Sequence, residues 1–224
     1  MSDDLYTPRV NADGSYTTLQ IEKEGAIDWL TLNRPAVLNA MSATMMLELQ
    51  HYFGALYTDY SVRVVILTGA GRGFCAGLDL QDASSGAGIG GGGGGLGVTL
   101  DLRDAPPIVL HRIDTPTICA LNGGAAGYGM DLALGCDIRI AAESAKLAAA
   151  FTKRGVLPES GGTWLLPRLV GWSKAAEIIF TGRTLRARDC LELGLVSRVV
   201  PTTTCTTSTS SSCRSSAPRT SARG

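Results

Sequence analysis

Hydrophobic positions along the chain fall into distinct periods, and each period predicts an element. In residues 16–32, YTTLQIEKEGAIDWLTL, two runs rich in β-branched and aromatic residues flank Gly25, which predicts two adjacent strands joined as a hairpin. Over residues 43–60 the side chains of Met45, Leu49, Tyr52, Phe53, Leu56, Tyr57 and Tyr60 recur every three or four positions. They follow Ser42, a favourable N-cap, so the spacing predicts an amphipathic helix whose Met and Tyr stripe is core. Residues 63–68, RVVILT, and 117–121, TICAL, are nearly continuous in β-formers, the pattern of parallel strands buried on both faces. The order strand, strand, helix, strand, loop, strand, helix is that of an α/β chain with crossover connections.

Two stretches have no such period. Residues 86–97, GAGIGGGGGGLG, hold nine glycines in twelve positions, a composition that cannot meet the ordering cost of a packed element and predicts a mobile loop. Gly86, Gly88 and Gly91 satisfy G-x-G-x-x-G, but no strand precedes them and no helix start follows, so they do not predict dinucleotide binding. Gly69, Gly71 and Gly73 fail the same test because Phe74 stands at the third glycine position. Residues 201–224 hold seven Thr, seven Ser and three Arg with no acid and no Leu, Ile, Val, Phe or Met, which predicts a disordered tail after a core of residues 1–200. The change at Pro201 is abrupt, and a Thr run is what an acidic run of GAC codons yields when read one base out of phase as ACG. A shifted frame over residues 202–224 is therefore an expectation that resequencing tests.

Composition narrows the class. The 224 residues are 45% hydrophobic and 18% charged, enough for a substantial core without a disulfide or metal staple. Twenty basic side chains balance twenty acidic ones, so there is no electrostatic footprint for nucleic acid. No apolar run reaches the roughly 20 residues of a membrane span. The first ten residues, MSDDLYTPRV, lack the basic flank and apolar stretch of a signal peptide, which predicts a cytoplasmic protein. Six cysteines show no C-x-x-C spacing, and only two histidines accompany them, so no metal site is expected. Cys75, Cys119, Cys136 and Cys190 lie in apolar segments and read as small hydrophobes. His51 and His111 have no nucleophile partner and are assigned to structure.

Candidate chemistry sits in three glycine-rich segments beside the strand-like runs: residues 72–80, RGFCAGLDL; 122–131, NGGAAGYGMD; and 154–163, RGVLPESGGT. Backbone without a Cβ approaches a ligand closely, and amides at a bend or helix start point N–H groups at a developing negative charge. The stretch after Gly127 reads as a helix N-terminus, whose dipole adds positive potential. Two such bends offering one amide each would make an oxyanion hole; glycines at strand ends are also ordinary turns.

Taken together, NRPAVLNAM at 33–41, FCAGLDL at 74–80, NGGAAGYGMDL at 122–132 with CDIRI at 136–140, GVLPESGGT at 155–163, and TGRTL at 181–185 with ARDCLELGLV at 187–196 resemble the enoyl-CoA hydratase/isomerase, or crotonase, superfamily. The resemblance runs over residues 16–201. It implies an α/β spiral of repeated β-β-α units, a coenzyme A thioester as substrate with no separate cofactor, and a homotrimer or hexamer. It also implies a carboxyl-terminal helical region that this chain is too short to carry in full, so an inactive, truncated member is a second expectation. By position, the N–H groups of Leu78 and Tyr128 would form the oxyanion hole, flanked by Gly77 and Gly127, and Ala36, Leu38 and Ala76 would meet the adenine end of the acyl-CoA. Tyr128 departs from the glycine most common at its position.

The acid and base groups follow from the same resemblance. Hydratases of the family place glutamates where this chain has Asp131 and Phe151, and phenylalanine cannot move a proton. Glu159, in LPESGG, matches the single catalytic acid of isomerases that move a 3-enoyl double bond to the 2-position. Its apolar neighbours Phe151, Val156, Leu157 and Trp164 would desolvate it and raise its pKa. Asp131 matches an acidic position of dienoyl-CoA isomerases, or is simply a carboxylate near a helix N-terminus. The expected reaction is double-bond isomerisation by Glu159. Hydration through Asp131 and Glu159 is the alternative, and nucleophilic attack, as in aryl-CoA dehalogenases that carry aspartate at this position, ranks below both.

Overall fold

A computed structural model describes residues 10–79, 105–158, 160–206 and 209; the glycine-rich run 86–97, Glu159 and most of the Ser/Thr-rich tail lie outside the described residues. The first hairpin pairs β1 (Leu19–Glu24) antiparallel with β2 (Ile27–Leu32), turning at Gly25 with φ +63°. Helix α1 (Ala43–Ala55) follows, then three successive strand pairs: β3 (Val64–Gly69) with β4 (Gly73–Cys75), β5 (Thr117–Leu121) with β6 (Gly124–Ala126), and β7 (Ile138–Ala142) with β8 (Lys146–Ala148). The short helix α2 (Pro106–Leu110) precedes β5, and α3 (Tyr128–Gly135) leaves β6. The chain continues through α4 (Gly162–Val170), α5 (Trp172–Thr181), β9 (Thr184–Arg186), α6 (Ala187–Glu192) and β10 (Arg198–Val200).

The first strand of each pair joins a six-stranded sheet ordered β1-β2-β3-β5-β7-β10, and the second joins a four-stranded sheet ordered β4-β6-β8-β9. Each repeat therefore advances one place in both sheets, which is the spiral of β-β-α turns. β3 and β5 are buried almost throughout, as continuous apolar runs require, and they pair in parallel from Val65 opposite Thr117. Leu30, Ile66, Leu67, Phe53, Met45 and Leu121 are among the largest fully buried side chains, each contributing roughly 1.5–3 kcal/mol of apolar burial. The CDIRI motif is structural. Asp137 Oδ2 accepts from both the N–H and the hydroxyl of Thr117 at 2.8 Å, and buried Arg139 donates through Nε to Leu195 O at 2.6 Å and through Nη1 to Cys136 O. This ties β5, β7 and the approach to β10 together.

Three expectations need correction. The first helix stops at Ala55 rather than at residue 60: i to i+3 bonds from Tyr57 and Thr58 wind it down, and Asp59 closes a turn on Ser61 N–H at 3.0 Å. Tyr57 and Tyr60 are consequently solvent-facing, and the stripe instead contains Glu48, fully buried, which accepts from the N–H groups of Thr17 and Thr18 at 2.8 and 2.9 Å. Ser42 does cap the helix, accepting from Met45 N–H at 3.1 Å. Finally, the start of the tail packs despite its composition. Thr202–Thr204 form a 3-10 turn, Cys205 is buried with the other four described cysteines, and Thr209 Oγ1 donates to Cys205 O at 2.7 Å. Among the described residues of this polar segment, the Cys205 side chain supplies the apolar anchor. Among the described residues no helix is long and apolar enough to cross a membrane, and no group of three His, Cys, Asp or Glu side chains is placed to hold a metal.

Candidate active site

The two short strands β4 and β6 run parallel, with Gly73 opposite Gly124 and Cys75 opposite Ala125, and a register shift between them. Both end in bends that the chain must bring unusually close. Gly77 has φ +104°, and a Cβ there would lie 2.8 Å from Ala126 O and 3.9 Å from Tyr128 N. Gly129, one residue into α3, would put a Cβ 2.2 Å from Cys75 O. Glycine at these two positions is thus a condition for the bends at 76–79 and 126–129 to touch.

The bend at 76–79 is pinned from its other side. Met41 N–H donates to Gly77 O at 2.7 Å and Asp79 N–H to Met41 O at 2.9 Å, forming a parallel bridge that leaves the Leu78 amide on the opposite edge. No described residue accepts from that N–H. The residue motif at 33–41 supplies the clamp. Arg34 Nη2 pairs with Asp79 Oδ2 at 2.9 Å while its Nη1 donates to Ala40 O at 2.6 Å, and buried Asn39, at φ +56°, donates to Ala70 O and Gly73 O at 2.9 Å. On the bend at 122–129, Asn122 Nδ2 donates to Gly69 O and Gly71 O at 2.9 and 3.0 Å. Gly127, the N-cap of α3, has φ +51° and donates its N–H to Ala148 O at 2.9 Å, so Tyr128 opens the helix. First-turn N–H groups of a helix point out along its axis, where they and the dipole favour negative charge.

The remaining expected residues fall as follows. Ala76 N–H donates to Leu38 O at 3.0 Å, so Leu38 and Ala76 lie side by side; Ala76 is exposed, and so is Ala36 on the 3-10 turn Pro35–Val37. Phe151 is buried, and a Cβ on Gly127 would lie 3.8 Å from its ring, placing that ring beside the start of α3. The Tyr128 side chain is also buried, its hydroxyl 3.9 Å from Met46 Sδ. Glu159 lies outside the described residues. Of the apolar neighbours expected to desolvate it, Val156, Trp164 and above all Leu157, at 81% exposure, face solvent in this chain. The indole of Trp164 is instead flanked by His111 at 4.9 Å between ring centres and by the Arg168 guanidinium at 4.0 Å. Only Phe151 is enclosed, so the expected apolar wall is not formed by these side chains alone.

Asp131 lies in the first turn of α3 and is 1% exposed. Its Oδ2 accepts from Ser160 Oγ at 2.5 Å and from Gly162 N–H at 3.2 Å. Burial pushes its carboxyl up to about 7, against these two hydrogen bonds, which act to lower it. Burial therefore outweighs the helix-start stabilisation that the sequence alone suggests. A carboxyl raised in the fold holds a proton that the unfolded chain has released, so stability falls as pH rises from about 4 to about 7, at up to about 1.4 kcal/mol per pH unit. The difference in melting temperature between Asp131→Asn and the native chain should grow across this window and level off above it. A difference independent of pH would show that the proton is not held.

Sequence reasoning missed Ser160, Arg34, Asn39 and Asn122. The last three stand inside motifs that were singled out for their main chain, and for Asn122 its position next to Gly123 was the signal available. Nothing in the sequence couples Ser160 to Asp131.

The enoyl-CoA hydratase/isomerase family model matches residues 22–222. The chain is 43% identical over 179 residues to the 1,2-epoxyphenylacetyl-CoA isomerase of Escherichia coli (strain K12), covering 79% of this chain and 67% of that protein. Among solved structures, an enoyl-CoA hydratase from Bacillus anthracis superposes with a TM-score of 0.81 at 34% identity, covering 89% of this chain and 76% of that one. A monofunctional enoyl-CoA isomerase from M. smegmatis superposes with a TM-score of 0.72 at 36% identity, covering 88% and 84%. The chain spans 67%, 64% and 61% of the length of three curated relatives. With the paired sheets, the touching glycine bends and these likenesses in agreement, the chain belongs to the enoyl-CoA hydratase/isomerase family and has the crotonase fold.

Proposed function

We propose that the chain catalyses double-bond isomerisation of a 3-enoyl-CoA thioester to the 2-enoyl form. Removing a proton from C2 moves charge onto the thioester oxygen as a dienolate. Two preset N–H donors, those of Leu78 and Tyr128, hold that oxygen, and Glu159 takes the C2 proton and returns it to C4, so no net proton is exchanged. Ala36, Leu38 and Ala76 receive the adenine end of the ligand, and coenzyme A enters as part of the substrate, without a further cofactor. The observation that supports this reading is the close approach of the two bends, a Cβ on Gly77 falling 2.8 Å from Ala126 O and 3.9 Å from Tyr128 N. The residue at 151 supports isomerisation over hydration: phenylalanine stands where hydratases use a second carboxylate.

Hydration through Asp131 and Glu159 is the second reading, favoured by the raised pKa of Asp131, a value suited to a general acid near neutrality. A panel of CoA thioesters separates the two. Isomerisation of 3-enoyl-CoA should exceed hydration of 2-enoyl-CoA by more than ten-fold, as loss of one acid/base group typically costs about 10²–10⁴ in rate. Aromatic thioesters, including the epoxide handled by the Escherichia coli relative, belong in the same panel. Hydration as fast as isomerisation would reject the isomerase reading.

A further inference from the structure

Asp131 and Ser160 are both 1% exposed, and they meet across the two elements that flank the site. One carboxyl oxygen takes the Ser160 hydroxyl at 2.5 Å and the Gly162 N–H at 3.2 Å. The other oxygen faces the same turn, since a Cβ on Gly162 would come within 2.1 Å of Oδ1. A carboxyl enclosed on both oxygens by its own chain is badly placed to touch a substrate. What it does instead is join α3, which opens at Tyr128, to the turn that begins at Ser160. Ser160 follows Glu159 directly, and consecutive Cα atoms across a trans peptide are about 3.8 Å apart, so fixing Ser160 limits where residue 159 can stand.

We propose that Asp131 and Ser160 form a tether of positioning residues that holds the turn following Glu159 against the helix offering the Tyr128 amide. The proposal rests on the reading of Glu159 as the proton shuttle. It assigns Asp131 a hydrogen-bond acceptor's task rather than a proton-transfer one, and it adds Ser160 to the working residues. The chemistry demands such a part: the shuttle must reach C2 and C4 in turn while the thioester oxygen stays on the amides, and a misplacement of about 1 Å can cost about 10²-fold in rate.

The test is kcat and KM for 3-enoyl-CoA isomerisation in Asp131→Ala, Ser160→Ala, the double variant, Asp131→Asn and Glu159→Gln, with the melting temperature of each. Asp131→Ala and Ser160→Ala should each lower kcat by about 10- to 100-fold with KM within about three-fold of native, the signature of misalignment rather than lost binding. The double variant should fall no further than the worse single one, because both break the same link. Asp131→Asn keeps an acceptor oxygen and should recover turnover to within about ten-fold of native, against the 10²- to 10⁴-fold loss that removing a true acid/base group causes. Asp131→Asn as impaired as Glu159→Gln, native kcat in Ser160→Ala, or additive losses in the double variant would each overturn the tether, including in a variant of lowered stability, since additivity is read from the cycle. Native turnover in Glu159→Gln would overturn the shuttle itself, in a chain with both tether residues intact.

Discussion

Exchanging Glu159 for Gln is expected to lower 3-enoyl-CoA isomerisation by about 10²- to 10⁴-fold while leaving KM close to native. The amide has nearly the shape of the acid and cannot take the C2 proton, so binding survives and chemistry does not. Among the described residues, neither Phe151 nor Asp131 is suited to substitute. Phe151 has no proton to give, and Asp131 has its oxygens against Ser160 and Gly162. The proposed oxyanion donors, Leu78 and Tyr128, are untouched by the exchange and would account for the residual rate. Steady-state kinetics on a purified variant decides it: turnover within a few-fold of native would remove Glu159 from the mechanism.

Gly77→Ala should have the second-largest effect, through the main chain alone. At φ +104° an L side chain is strained, and the new methyl would sit 2.8 Å from Ala126 O, a backbone atom that cannot swing aside. The bend at 76–79 must then retreat from the start of α3. It is also held by Arg34 to Asp79 and by the Met41 bridge, so the displacement strains the clamp as well. Taking one donor out of alignment costs about 10²–10³ in kcat, or about 3–4 kcal/mol of transition-state stabilisation. The strained conformation itself costs on the order of 1–3 kcal/mol of stability. Gly124→Ala is the matched control: a Cβ there meets nothing within 4 Å, and both kcat and melting temperature should stay near native. If Gly77→Ala turns over as fast as Gly124→Ala, the contact between the bends is irrelevant to catalysis.

The long elements were legible because their patterns are long. RVVILT and TICAL each supply enough apolar residues to mark a buried strand, and they became β3 and β5 within a residue of the expected ends. The second sheet was not legible. β4, β6 and β8 have three residues each, GFC, GAA and KLA, too few to show alternation, so two of them read only as glycine-rich bends. The first helix was overdrawn because Tyr57 and Tyr60 continue its spacing, while the Asp59 to Ser61 turn that ends it is a local hydrogen bond invisible to periodicity. In the site, the glycines announced close approach but not between which atoms. The link of Asp131 to Ser160 spans 29 positions in sequence and exists only because the fold lays α4 against α3. Glu48 is the same case in the core, a charge placed in an apolar stripe to satisfy the amides of Thr17 and Thr18.

A structure of the chain with an unreactive acyl-CoA thioester bound tests the shared basis of these expectations most directly. The thioester oxygen should lie about 2.7–3.1 Å from both Leu78 N and Tyr128 N, the spacing of working oxyanion donors. An oxygen held by water or by side chains, with either amide beyond hydrogen-bonding reach, would contradict it.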